Sequence, residues 1–467
     1  MSESTESLFE GRIPIYPRSV KGRFRYIKWG VLALAYGVYF LLPWIRWARP
    51  TGPDQAVLFD LNTRLFYIFG LVVHPQDIFW LAGFLLLAAL LLFFVTGILG
   101  RVFCGYFCFQ TLWTDVFIMV ERLVQGERPA RIRLAKQPWN FEKIFKLGAT
   151  HVLWLLVAML TGLTFTLYWA DAPQLTLQFF TGKAPFPAYA TTAFLTATTY
   201  VMAGLAREQV CTYMCPYARF QSVMFDRDTL IVSYDQGRGE GQAGRHKVNK
   251  QLKTHDQRQA AGVGDCIDCG YCVQVCPTGI DIRNGLQVSC IHCALCVDAC
   301  DNIMDNMGWP RGLIRYTSEN ELEGKKTRFL KGKTFGYGAA IAIVLGLLLW
   351  SMTHSTKYDA VSRQIRQPLY VVMSDGSIQN SYELKINNKT QSPLTLTVGL
   401  DGLKGAVLDV GNFKNFTIPP EQYLRVLVRV RFPGNTATPE DHDFSFVLTP
   451  QNGKIPPIKV PARFYTP

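Results

Sequence analysis

Cysteine carries the most specific chemistry in this chain. Eight of its 12 cysteines fall into two runs of one rhythm, Cys266-x2-Cys269-x2-Cys272-x3-Cys276-Pro277 and Cys290-x2-Cys293-x2-Cys296-x3-Cys300. Three thiolates on a tight turn reach three corners of one iron–sulfur cubane, while the fourth, one turn further on, points toward a neighbouring cubane. The spacing therefore predicts two 4Fe-4S clusters with crossed ligation. Cys266, Cys269, Cys272 and Cys300 are expected to hold one cluster, and Cys276, Cys290, Cys293 and Cys296 the other. Zinc ribbons use two ligand pairs divided by a spacer, which is a different pattern. Thiolate-ligated clusters this close pass single electrons, so the module reads as a wire or a reservoir.

The other four cysteines form a second, subtler motif. Cys104-Gly105-Tyr106-Phe107-Cys108 and Cys211-Thr212-Tyr213-Met214-Cys215-Pro216 repeat one C-x-Y-x-C pattern, each after an apolar block and before an amphipathic stretch, Thr111 to Leu123 and Tyr217 to Phe225. Residues i and i+4 share a helical face. Two helices running the same way are thus expected to gather four thiolates at a membrane surface, in a roughly tetrahedral site for copper(I), zinc or an iron–sulfur centre. Four buried packing thiols are the plain alternative; the matching of the two pairs weighs against it.

The elements that position these cysteines follow from the apolar blocks. Five segments are long and apolar enough to be expected as membrane helices: Trp29 to Ile45, Ile78 to Leu99, Leu147 to Trp169, Tyr189 to Leu205 and Phe335 to Met352. The fourth is short and rich in threonine, as suits a helix packed inside a bundle. Arg and Lys crowd before the first span, between the second and third (Arg122, Arg128, Arg131, Arg133, Lys136) and before the fifth (Lys325, Lys326, Arg328, Lys331, Lys333). That asymmetry predicts a cytoplasmic N-terminus, a cytoplasmic stretch carrying the ferredoxin cysteines, and an exported C-terminus. The net charge of +13 is explained by these topogenic residues, and nucleic acid is not an expected partner. The segment before Trp29 is polar and basic, with no cleavage site of a signal peptide.

The fold class is thus multidomain: a five-span α-helical membrane bundle, an inserted α+β two-cluster ferredoxin and a C-terminal β-sandwich. The expected boundaries are 1–28 for a cytoplasmic segment, 29–225 for the four-helix region, 226–333 for the ferredoxin, 334–353 for the fifth helix and 354–467 for the sandwich. No cysteine falls after residue 354, so the tail has no disulfide framework. Its alternating runs, such as Leu394-Thr395-Leu396-Thr397-Val398, are separated by Asn, Gly and Pro turns. His151 reads as a hydrogen-bonded bundle histidine ahead of a haem ligand. Met352, His354 and Met373 are soft donors that read first as packing.

With these residues in view, the chain resembles the CcoG/FixG/RdxA family, accessory proteins of cbb3-type cytochrome oxidase assembly. The likeness lies in Ile15-Tyr16-Pro17-Arg18, both C-x3-C elements, the ferredoxin and its continuation Pro277-Thr278-Gly279-Ile280-Asp281, and Pro310-Arg311-Gly312-Leu313-Ile314-Arg315-Tyr316. It implies a bacterial inner-membrane protein with an immunoglobulin-like periplasmic tail, which reduces copper(II) to copper(I) for the oxidase. Copper would be its substrate or a bound ion, Cys104, Cys108, Cys211 and Cys215 its catalytic residues, and copper-delivery or oxidase-assembly proteins its partners beside an unnamed electron donor. One departure is visible: a C-x3-C-P pattern would put proline after Cys108, where Phe109 stands. Exchange of electrons with quinol or a periplasmic respiratory partner, and a non-catalytic assembly scaffold, are the alternative functions.

Overall fold

The computed structural model describes residues 14–249, 251–411, 415–433, 441–451, 453 and 455–466. The first 13 residues of the expected N-terminal segment lie outside this set. The chain divides into two compact units, Met1–Arg46 with Gln55–Gly346, and Trp47–Asp54 with Leu347–Pro467.

In the first unit, helix α1 (Arg23–Leu41) begins where the Asp298 carboxylate accepts the Phe24 and Arg25 amides at 3.2 and 2.8 Å. A distant carboxylate thus caps donors that the helix itself leaves open. A three-stranded antiparallel meander follows: β1 (Val57–Asp60), β2 (Leu65–Ile68) and β3 (Leu71–Val73). Next come α2 (Ile78–Leu99), α3 (Val102–Tyr106), α4 (Phe109–Gln125), α5 (Arg128–Lys136) and α6 (Phe141–Leu167). The Asn140 side chain caps α6 by accepting the Lys143 amide at 2.8 Å. After α7 (Ala172–Phe180), α8 (Phe186–Thr199) continues as a π-helix over Tyr200–Ala206, and α9 (Pro216–Met224) closes the region.

Five helical stretches among the described residues are long and apolar enough to cross a membrane: Arg23–Trp44, Pro75–Leu99, Val102–Gln125, Phe141–Leu167 and Gly332–Thr353. Four of them match expected spans with shifted ends. The remaining one, Val102–Gln125, contains the stretch expected to be merely amphipathic. The expected fourth span, Tyr189 to Leu205, is helical too, but its change to π register at Tyr200 breaks it into shorter pieces. Its polar residues do serve packing: a Cβ on Gly162 of α6 would lie 2.6 Å from the Thr192 carbonyl of α8. The two backbones can approach that closely only because Gly162 has no side chain.

The cysteine-rich module is an α+β unit. Strands β4 (Ile231–Tyr234) and β5 (Ile314–Thr317) pair antiparallel, and α10 (Tyr271–Val275) and α11 (Leu295–Met307) each follow a cysteine turn. Val232, Ile282, Val297, Met304 and Leu313 form its core. Helix α12 (Gly332–Thr353) is the last of the apolar helices.

In the second unit, β6 (Tyr358–Gln364), β7 (Val371–Val372), β8 (Ile378–Asn388), β9 (Leu394–Asp401), β10 (Val407–Asp409), β11 (Phe416–Ile418), β12 (Tyr423–Phe432), β13 (His442–Pro450) and β14 (Ile458–Phe464) form two antiparallel sheets. Their orders are β10-β12-β8-β6, with β7 on β8, and β11-β9-β13-β14. Burial alternates along the strands, and Tyr382, Leu384, Ile386, Val428, Val430, Phe446 and Leu448 share one core. This is the expected sandwich.

Candidate functional site

The two ferredoxin turns wrap two adjoining cavities. One, of about 30 Å³, is lined by Cys266, Cys269, Cys272 and Cys300 together with Tyr234, Ile303 and Leu313. The other, about 20 Å³, is lined by Cys276, Cys290, Cys293 and Cys296, with Cys272 in the shared wall. The thiols thus surround volumes rather than meet at a point, and among the described residues no three His, Cys, Asp or Glu converge on a single-ion site. Four soft donors around an apolar cavity suit a multi-atom iron–sulfur group. Burial pushes the Cys272 and Cys290 thiols up to about 12, and raises Cys293, Cys296 and Cys300 as well. Loading iron must therefore displace protons from these thiols.

The membrane cysteines adopt a different local geometry from the one expected. Cys104 lies in the short helix α3, but Cys108 is an extended residue (φ −66°, ψ 126°) that precedes α4. Cys211 sits in a π turn (Val210–Met214), whose Cys215 amide donates to the Val210 carbonyl at 2.8 Å, and Cys215 is again extended (φ −80°, ψ 109°). The two cysteines of each pair therefore flank a helix break and do not share a helix face. A residue preceding proline is held out of the helical region, which accounts for Cys215. The turn at Cys108 is the same with Phe109 in place of proline, so the departure from C-x3-C-P leaves the backbone unchanged.

The two pairs face one region of the fold, without three of their thiols converging on a single-ion site. Cys104, Cys108, Cys211 and Cys215 lie within electrostatic range of one another, and Arg101 lies in range of Cys104, Cys211 and Cys215. Cys104 Sγ donates to Gln221 Oε1 at 3.1 Å, and the amides of Gln110 and Thr111 at the start of α4 face Cys108.

This cysteine set sits directly on the second ferredoxin turn. A Cβ on Gly105 would lie 2.8 Å from the Ile291 carbonyl oxygen and 3.0 Å from Cys293 Cα, so only glycine lets the backbones touch. The Tyr106 hydroxyl donates to the Cys293 carbonyl at 3.1 Å, and Cys104 packs against the cluster of Ile291, Cys293 and Leu295. Cys211 lines a small cavity with Pro277, Thr278 and Ile291. The Arg101 amide donates to His292 Nδ1 at 3.0 Å. Burial and the nearby guanidinium hold that imidazole down at about 3, so it is neutral at physiological pH. Gly105, Arg101 and His292 are contact residues of the site that the spacing argument missed; their only local signal is that they adjoin the cysteine motifs.

The N-terminal segment binds the two regions together. The Arg18 amide donates to the Gln274 carbonyl at 2.8 Å, Arg128 Nε donates to the Tyr16 carbonyl at 2.9 Å, and Arg131 donates to the Pro17 carbonyl. Arg25 meets both Asp115 oxygens at 3.0 Å with Lys28 3.9 Å away, and Arg131 and Arg207 pair with Glu121. Several basic residues expected to serve only topology are therefore buried ion-pair partners. His151 Nδ1 lies 2.8 Å from the Tyr200 hydroxyl, and His354 Nδ1 lies 3.0 Å from the Trp350 carbonyl.

Comparison with known proteins accords with this architecture. Residues 206–319 match a 4Fe-4S dicluster domain, residues 81–125 a 4Fe-4S binding domain, and residues 348–467 the "IG-like fold at C-terminal of FixG, putative oxidoreductase". Protein RdxB of Cereibacter sphaeroides is 45% identical over 82% of this chain and 81% of its own length. Protein RdxA of the same organism is 41% identical over 91% of this chain and 90% of its own, and nitrogen fixation protein FixG of Rhizobium meliloti 39% over 94% and 90%. With its apolar helices, ferredoxin turns and immunoglobulin-like tail, the chain belongs to the CcoG/FixG/RdxA family of iron–sulfur electron-transfer proteins.

Proposed function

We propose that this protein is a membrane-bound copper reductase, which converts copper(II) to copper(I) at Cys104, Cys108, Cys211 and Cys215 for assembly of a cbb3-type cytochrome oxidase. The observation that carries the reading is the seating of the Cys104–Cys108 element on the Cys293 turn through Gly105 and Tyr106. That contact puts the membrane thiols beside the second ferredoxin cavity. In this reading Cys266, Cys269, Cys272 and Cys300 hold one 4Fe-4S cluster and Cys276, Cys290, Cys293 and Cys296 the other; when bound, the clusters supply single electrons. The four membrane thiols bind copper, and their softness favours the copper(I) product over copper(II). Each copper(II) takes one electron from a reduced cluster, and the thiols that bind it as thiolates release their protons. The charge distribution supports a cytoplasmic ferredoxin over 226–333 and a periplasmic tail over 354–467, in a bacterial inner membrane. The tail's sandwich is free of cysteine and suits docking to a copper-delivery or oxidase-assembly protein.

The test mixes anaerobically purified, dithionite-reduced protein, freed of excess reductant, with copper(II) and a copper(I) chelator while the visible cluster absorbance is followed. Copper(I) should appear in step with cluster oxidation, about two per chain for two one-electron clusters. Clusters that stay reduced in the presence of copper(II) would sink the reading.

A second reading is favoured by the match of residues 81–125, which include Cys104 and Cys108, to a 4Fe-4S binding domain. Here the four membrane thiols hold a further iron–sulfur centre. Iron analysis separates the two: about eight irons per chain for the ferredoxin clusters alone, about 12 with a third cubane.

A further inference from the structure

Arg101 lies between the two sets of thiols. Only 3% of it is exposed, its Nη1 donates to the Val288 carbonyl and, at 3.5 Å, to the Cys290 carbonyl, and its Nε and Nη2 are buried without a hydrogen-bond partner. A buried guanidinium with open donors is costly unless an anion lies beside it. The thiols that bear most strongly on it are Cys104, Cys290, Cys211 and Cys215: one from the second ferredoxin turn and three from the membrane pairs. Lys28, 1% exposed, adds a further cation near Cys293, though tied to Asp115 at 3.9 Å.

The other ferredoxin cavity has two arginines beside it. Arg283, which lines it, pairs with Asp268 at 2.6 Å and Asp281 at 2.7 Å. Arg258, fully buried, donates to the Cys266 carbonyl at 3.0 Å, and Asp265 is paired with Arg238 at 2.6 Å, so Arg258 is a buried cation beside that cavity as Arg101 is beside this one. Each cavity thus has one buried arginine outside any ion pair, and Arg101 is the one that adjoins the membrane thiols.

We propose that Arg101 is a positioning residue that raises the reduction potential of the cluster at Cys276, Cys290, Cys293 and Cys296, and so favours that cluster as the exit toward Cys104 and Cys211. One electron makes a cluster one unit more negative, and a fixed buried cation favours that state over the oxidised one. The inference rests on the crossed ligation set out above.

The experiment is an anaerobic redox titration of full-length wild type, Arg101→Gln and Arg101→Lys followed by electron paramagnetic resonance, with iron and labile sulfide measured on the same samples. In Arg101→Gln one cluster should become harder to reduce by about tenfold in its equilibrium, 59 mV for a one-electron couple, while the other moves far less. Arg101→Lys should keep the wild-type order. Two intact clusters with both potentials unmoved in Arg101→Gln would overturn the proposal, and so would an equal drop in Arg101→Lys. If Arg101→Gln does not accumulate, the lysine variant still decides: wild-type order supports the charge argument and a drop overturns it. Wild-type protein lacking two clusters would instead remove the ligand assignment itself.

Discussion

Replacing Gly105 with alanine adds one methyl group where the membrane element meets the ferredoxin. The Cβ would lie 2.8 Å from the Ile291 carbonyl oxygen, 3.0 Å from Cys293 Cα and 3.1 Å from Cys293 N. All three are backbone atoms, which cannot rotate aside as a side chain would. Overpacking of this kind costs about 1–3 kcal/mol. Alanine also returns up to about 1 kcal/mol of helix propensity, but Gly105 lies in a five-residue helix where that gain is only partly realised. The clash should win by about 1–2 kcal/mol, a factor of roughly 5–30 between seated and displaced forms. Thermal loss of the visible cluster absorbance in detergent should then set in at lower temperature, and copper(I) formation should slow while iron content stays at the wild-type level. Tyr106→Phe, which removes the 3.1 Å bond to the Cys293 carbonyl, should act the same way by about 0.5–1.5 kcal/mol. A Gly105→Ala protein at least as heat-stable as wild type, with full iron, would refute the reasoning: helix propensity would have outweighed the contact.

Serine at Cys104 and Cys211 together should abolish copper(I) formation and leave about eight irons per chain, read by chelator assay and iron analysis; full activity in that variant would remove copper chemistry from these thiols. Asp115→Ala strands Arg25 and Lys28, both buried, and should cost about 3–5 kcal/mol, seen as poor accumulation or early thermal loss of the clusters. A double replacement of Arg25 and Asp115 by Met and Leu should be milder, because no unpaired charge is left between them. Protein stripped of iron should keep its stability below the ordinary thiol value of 9.0 and lose it as pH climbs toward 12. The unfolded chain ionises its cysteines in that window while burial keeps Cys272 and Cys290 protonated in the fold, so alkali favours the unfolded state. Circular dichroism of the apo protein across that range reads the effect directly.

The ferredoxin cysteines were legible because their chemistry is local. A cubane needs three thiolates on one turn and a fourth on the next, and that requirement is written into spacings of a few residues. The eight cysteines accordingly line two adjoining cavities, with Cys272 in the wall they share. The apolar helices and the sandwich were legible for a related reason: long uninterrupted apolar blocks and period-two alternation each have one common structural outcome. The path of the chain at the membrane cysteines was not. An i,i+4 spacing is compatible with one helix face, but the extended backbone at Cys108 and Cys215 and the π register before Cys211 depend on what the following helices pack against.

The sequence by itself determined the cysteine rhythm of the ferredoxin turns, the apolar helices and the alternating strands of the tail, since each follows from the order of neighbouring residues and the physics of one turn, one helix or one strand. Tertiary structure alone decided that Gly105 sits on Cys293, that Asp298 caps α1 across more than 270 positions, that Arg25 and Arg131 are buried partners of Asp115 and Glu121, and that Arg101 lies among thiols of both motifs. These contacts join residues far apart in the chain. Glycine, aspartate and arginine carry no mark in their own neighbourhood of the distant backbone, helix end or charge that each will meet, so only the packing of one element on another assigns their roles.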